Sequence, residues 1–195
     1  MRKGDEVRSA PPSVKFTYDD FLGFPDDGKR HEIIDGEHYV TPSPITKHQV
    51  VSMNLTRAFN FWLQRHPRGY LFAAPFDVVF SNLDVVEPDL LYISRERTGI
   101  LTDKHVRGAP DLVIEILSPG TRKTDELIKR KLYERFGVGE YWVVDPELDT
   151  IKIYRRVEQA FVRISELSVE HQDVLTTPLL PDFSVFLAEL FALPI

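Results

Sequence analysis

The segments Glu87-Pro88-Asp89 and Asp111-Leu-Val-Ile-Glu115, with Asp125, Lys129 and Tyr133 spaced four residues apart, are the parts of this chain best suited to chemistry together. The first heads one apolar run, the second lies in another, and the third follows directly. A carboxylate inside Val113-Ile-Glu-Ile-Leu117 costs several kcal/mol to bury unless a cation or a strong donor neutralises it. Glu115 therefore needs a partner. The chain has no cysteine, and carboxylates with a backbone carbonyl and waters suit a hard ion such as Mg²⁺ better than zinc.

The elements that must position these groups follow from periodicity. Residues 85–93 and 112–117 are short, rich in Val, Ile and Leu, and closed by Ser94-Arg95 and Ser118-Pro119-Gly120, so each is expected to form a buried strand. Side chains alternate along a strand, so Asp89, Leu91 and Ile93 share one face and Asp111, Val113 and Glu115 another. Two carboxylates can then converge from neighbouring strands. Residues 121–136 carry Leu127, Ile128, Leu132 and Phe136 at helical spacing after a capping Thr121. On that helix Asp125, Lys129 and Tyr133 form one stripe, while Lys131 falls roughly 200° away around the axis. Gly137 ends the helix, and residues 138–146 read as a further strand.

These residues also carry a resemblance. Glu32-Ile-Ile-Asp-Gly-Glu37, Pro88-Asp89-Leu90, Val113-Ile-Glu115-Ile-Leu-Ser118-Pro119, Asp125-x₃-Lys129-x₃-Tyr133 and Gly137-Val-Gly-Glu-Tyr-Trp142-Val-Val-Asp-Pro146 together resemble the Uma-two family of restriction endonucleases, in the PD-(D/E)xK nuclease superfamily. The resemblance spans about residue 17 to the Leu180-Pro181-Asp182-Phe183 tail. It implies an α/β, restriction-endonuclease-like fold, a mixed central sheet flanked by helices, with an N-terminal hairpin. It also implies metal-dependent hydrolysis of nucleic-acid phosphodiesters, DNA above all, with Asp89 and Glu115 holding Mg²⁺ or Mn²⁺ beside the Ile116 carbonyl. The superfamily lysine two residues after the glutamate is Leu117 here, and Lys129 matches the members that place it on the following helix. Glu32 matches an acidic hairpin position; it either completes the metal shell or orients a water, or is an exposed hairpin residue. Two rivals stand beside an enzyme: a non-catalytic nucleic-acid-binding or assembly module, and an interaction domain in which Glu115 and Lys129 form a buried ion pair.

Composition sets the outer bounds. With 195 residues and 43% hydrophobic content the chain can bury a core without disulfides. Residues 1–15 are expected to be a flexible tail and 16–195 a single endonuclease-like domain. No stretch is apolar enough to span a membrane, and the absence of cysteine suits a reducing cytoplasm. The net charge of −6 disfavours a non-specific nucleic-acid coat, yet residues 122–135 hold six basic side chains against three acidic, which are expected to form a modest ridge beside the site. The bland alternative for that stretch is a solvated helix face. A homodimer is expected, because cutting both strands of a duplex calls for two sites.

The remaining elements are simpler. Thr17-x-x-Asp20 reads as a capped helical turn, Asp35-Gly36 as a hairpin turn, 43–66 as a long helix, 70–80 as a strand, 150–156 and 161–164 as an antiparallel pair, and 183–193 as a closing helix. His48 could reach a phosphate or be structural. Asp111 is expected to make a contact at a strand start, and Tyr133 and Trp142 to pack in the core.

Overall fold

The computed structural model describes residues 14–41 and 43–193. All but the last two residues of the expected tail lie outside them. The capping box at Thr17 forms as read and opens α1 (Tyr18–Phe21). Next comes a hairpin of β1 (Arg30–Ile34) and β2 (Glu37–Thr41), whose turn residues Asp35 and Gly36 have φ of 52° and 74°, the positive pair that a type I′ turn requires. The long helix α2 (Thr46–Arg65) places Val51, Leu55, Phe59 and Trp62 in one buried stripe.

The two runs expected as single strands, 70–80 and 85–93, are each broken. They become β3 (Gly69–Ala73) and β4 (Val78–Ser81), then β5 (Asp84–Val86) and β6 (Leu90–Ser94). Pro75 and Pro88 explain both breaks. A proline cannot donate to a strand ladder, so pairing stops there and the chain crosses from one sheet to another. The strands that follow are β7 (Val106–Arg107), β8 (Leu112–Ile116), β9 (Glu140–Asp145), β10 (Thr150–Val157), β11 (Ala160–Ser168), β12 (Val174–Leu175) and β13 (Val185–Phe186).

Six strands make the larger sheet in the order β11-β10-β9-β8-β6-β3, and five make a second sheet, β2-β1-β5-β4-β7. In the larger sheet only β8 and β9 pair in parallel. The crossover between them is a π-helical turn, Thr124–Lys129, leading into α3 (Arg130–Phe136). Gly137 closes that helix with φ 84°, as its sequence position implies. The closing helix is shorter than expected: α4 covers Leu187–Phe191, because Val185–Phe186 pair with β12 instead.

Alternation along β6, β8 and β9 divides the core in two. Leu90, Tyr92, Leu112, Ile114, Ile116, Trp142 and Val144 pack against α2 and the C-terminal segment. Leu91, Ile93, Val113, Tyr141 and Val143 face α3 and the second sheet. Fully burying one such side chain contributes about 1.5–3 kcal/mol, so the strands are fixed in register by both layers. Glu115 emerges on the α3 face. Among the described residues no helix is long and apolar enough to cross a membrane.

A buried carboxylate site between two sheets

Leu90 pairs with Ile114 and Leu91 with Val113, so Asp89 stands opposite Glu115 at the point where the chain leaves one sheet for the other. Both side chains are buried. The helical stripe lies over them: Lys129 is 4% exposed, whereas Lys131 is turned to solvent. Lys129 Nζ donates to Glu32 Oε1 at 2.7 Å and to Glu115 Oε1 at 3.1 Å, and lies 3.6 Å from Asp125 Oδ1. Tyr133 donates its hydroxyl to the same Glu115 oxygen at 2.6 Å, which ties a core aromatic directly into the site. Trp142 packs beside Phe59 on the opposite face of the sheet.

Glu32 is neither solvent-exposed nor free. It is 1% exposed, and its Oε1 also accepts the Glu87 amide at 2.9 Å, so it anchors Lys129 to the loop before Asp89. Asp89 itself is held by groups that local sequence patterns do not reveal. Arg30 Nη2 approaches Asp89 Oδ1 at 2.8 Å, while Asp89 Oδ2 accepts His48 Nε2 at 3.1 Å and the Ile116 amide at 2.8 Å. Arg30 also donates to the Glu87 carbonyl at 3.1 Å. One signal for Arg30 was available: it sits two residues before Glu32 and so shares its strand face. His48 contacts Asp89 from the first turns of α2, and its Nδ1 is buried with no hydrogen-bond partner among the described residues.

Asp111 does not join the group. It accepts the Ser94 amide at 2.7 Å and Arg97 Nη1 at 3.1 Å, the strand-start contact expected of it. Half of the basic ridge is neutralised: Arg122 pairs with Asp145 and Glu147, Arg135 with Asp35 and Asp84, and Lys129 points inward to Glu32 and Glu115.

Charge in the site is unbalanced. Glu32, Glu87, Asp89, Glu115 and Asp125 face two permanent cations, Arg30 and Lys129. Burial pushes the Glu115 carboxyl up to about 8; Lys129 opposes that shift, and Asp125, Asp89 and Glu32 add to it. Burial likewise raises Glu87 to about 7 and Asp125 to about 6. Asp89 goes the other way, to about 2, because His48, Arg30 and the Ile116 amide overcome the cost of burying it. Arg30, Thr41, His48, Asp89, Glu115 and Asp125 are among the residues around a cavity of about 20 Å³, space for a water or a bare ion. An open groove of about 390 Å³ adjoins it through Arg30, Thr41 and Pro44.

Stability should therefore depend on pH in an unusual direction for a protein in EDTA. Glu115 and Glu87 have native values above the unfolded 4.5, so the native state holds more protons than the unfolded state between about pH 5 and 8. Their contribution is full below the unfolded value and is lost as pH rises through the native ones. Asp89 acts only below its unfolded 3.8, outside this window. Urea unfolding at about pH 5.5 and 8 should give lower stability at the higher pH, and Glu115→Gln should reduce the difference. Stability that rises over this interval would contradict the charge balance described.

A family model described as "Putative restriction endonuclease" matches residues 18–190. The chain belongs to this family, Uma2. The Uma2 chain also shares its fold with a solved structure from Anabaena variabilis, titled a "putative nuclease belonging to DUF820". That likeness has a TM-score of 0.75 and 22% identity, and covers 90% of this chain and 97% of the other. No curated protein matches the Uma2 chain. The mixed sheet flanked by helices is thus the family's architecture, as the resemblance implied.

Proposed function

We propose that this Uma2 chain is a divalent-metal-dependent endonuclease, acting as one endonuclease-like domain on nucleic acid and in particular on DNA. The observation that carries this is the pairing of Asp89 with Glu115 across β6 and β8 with Lys129 bonded to Glu115, inside a chain whose family is described as restriction endonucleases. The donor set fits a hard ion: two carboxylates aligned across adjacent strands, in a buried cluster where acidic groups outnumber cations. Among the described residues no three His, Asp or Glu side chains converge to form a cage. Backbone oxygen and water would complete the coordination, as Mg²⁺ commonly requires.

Asp89 and Glu115, with the Ile116 carbonyl, would hold Mg²⁺ or Mn²⁺. When bound, the ion supplies Lewis-acid charge at the scissile phosphate. The chain's own groups do the rest. Lys129, charged and anchored by Glu32, stabilises the negative charge that develops on the phosphoryl oxygens, in a buried site where that charge counts most. Tyr133 fixes the Glu115 rotamer through its hydrogen bond. Arg30 and His48 position Asp89 and keep it ionised. A soluble cytoplasmic protein and a two-fold dimer presenting two such sites accord with duplex cutting.

One observation favours the second reading, a non-catalytic nucleic-acid-binding or assembly module. Both Asp89 oxygens are already engaged by Arg30, His48 and the Ile116 amide, so the site is partly neutralised from within. Incubation with plasmid, single-stranded DNA and RNA in Mg²⁺, Mn²⁺ or EDTA separates the two readings. The nuclease yields metal-dependent products; the module retains nucleic acid in a gel shift that EDTA does not alter and yields none.

A further inference from the structure

The hairpin that carries Arg30 and Glu32 on one face carries two histidines on the other. Ile33 pairs with His38 and His31 with Val40, so His31 and His38 are diagonal neighbours on the same face. His31 Nδ1 and His38 Nε2 stand 3.0 Å apart, with the rings stacked at 14°. Asp27 Oδ1 lies 3.0 Å from the other ring nitrogen, His31 Nε2. Phe24 packs on His38 at a centroid distance of 4.3 Å, and Phe16 lies edge-on to it at 5.7 Å. Two imidazoles are thus held with nitrogens face to face, one of them backed by a carboxylate.

From this geometry we infer that His31 Nδ1 and His38 Nε2 form a two-histidine site for a borderline transition ion, Zn²⁺ first, on the side of β1 opposite the carboxylate cluster. The carboxylate fixes the chemistry. Asp27 accepts the proton of His31 Nε2, so Nδ1 of a neutral His31 carries a lone pair aimed at His38, and the His38 Nε2 proton now fills the gap. Binding exchanges that proton for the ion: the proton moves to His38 Nδ1, which leaves both facing nitrogens as ligands and both rings neutral. Tetrahedral zinc with bonds of 2.0–2.1 Å needs its ligand nitrogens about 3.3 Å apart, so the pair has to open by about 0.3 Å and each ring to turn by about 35° to bring both lone pairs onto the ion. Water fills the remaining positions. Imidazole ligands select Zn²⁺, Ni²⁺ or Cu²⁺ over Mg²⁺, so this site and the oxygen site differ in the ions they take.

The ion would tie β1 to β2 at the rung between Arg30 and Glu32, the two β1 residues that reach the carboxylate cluster. It binds the folded hairpin alone, so it also raises the melting temperature.

Zinc chloride titrated calorimetrically into the full chain, with excess magnesium chloride present, tests the site. One zinc per chain is expected, with a dissociation constant in the micromolar range. His31→Gln and His38→Gln should each weaken binding at least about 10-fold, and Asp27→Asn about 10-fold, the effect typical of losing a carboxylate behind a metal-bound imidazole. Glu115→Gln should leave zinc affinity unchanged, which separates this site from the nuclease reading. Cu²⁺ in its place should give an electron paramagnetic resonance spectrum with coupling to two nitrogens. His38 is exposed, so His38→Gln is expected to keep the native circular dichroism and serves as the deciding variant. Absence of zinc uptake by wild type, or unchanged affinity in His38→Gln, would overturn the inference.

Discussion

Lys129→Met should cost the fold about 3 kcal/mol and cut nuclease turnover by about 100- to 1000-fold. Methionine keeps the length and apolar stem of the side chain and removes only the ammonium. What remains is Glu32, Glu115 and Asp125 buried with their shared cation gone. Removing one member of a buried ion cluster leaves uncompensated charge, and proton uptake by Glu115, already raised in the native protein, recovers only part of that loss. Urea unfolding measures the first effect and single-turnover cleavage the second. The two readouts need not move together. A variant with native stability and no cleavage would assign Lys129 to the chemistry alone; one that is destabilised yet cleaves normally would assign it to the fold alone.

Glu115→Gln is expected to separate the site from the fold in the opposite way. Glutamine has nearly the same shape, its amide oxygen can still accept the Tyr133 hydroxyl and the Lys129 ammonium, and one negative charge leaves an oversupplied cluster. Stability at about pH 8 should hold or rise, because the group whose ionisation was penalised by burial is gone. Divalent-ion uptake and cleavage should both fall, cleavage by at least about 1000-fold. Loss of folding in this variant would show that the charge of Glu115 is structural.

How far the site was legible in the sequence depended on the distance its contacts span. Strand alternation gave the faces of Asp89 and Glu115 and helical period distinguished Lys129 from Lys131, since both inferences use only neighbours along one element; bringing the two carboxylates together needed the further expectation that their strands are neighbours. Arg30 and His48 could not be attached to Asp89 in this way. Arg30 binds the Glu87 carbonyl across 57 residues and His48 reaches Asp89 across 41, and those contacts require knowing that β1 lies beside β5 and that α2 begins above β6. The breaks at Pro75 and Pro88 were visible in the letters, because a proline inside an apparent strand marks an edge or an end. The basic ridge was only partly legible for a related reason: charges counted along one segment took no account of the acidic partners that Arg122 and Arg135 find on β5, β9 and the turn after it. The hairpin is the counterexample. Its Asp-Gly turn fixes the register of β1 against β2, and that register alone sets His31 beside His38.

The most direct test of the nuclease account is cleavage of supercoiled plasmid by the purified chain in Mg²⁺ or Mn²⁺, with EDTA and the Glu115→Gln variant run alongside. Nicked and linear products that require the metal and vanish with the variant are the predicted result. Equal cleavage by Glu115→Gln, or cleavage that persists in EDTA, would contradict the assignment of the Asp89–Glu115 site; no cleavage by folded wild-type protein on any nucleic acid would leave the binding-module reading in its place.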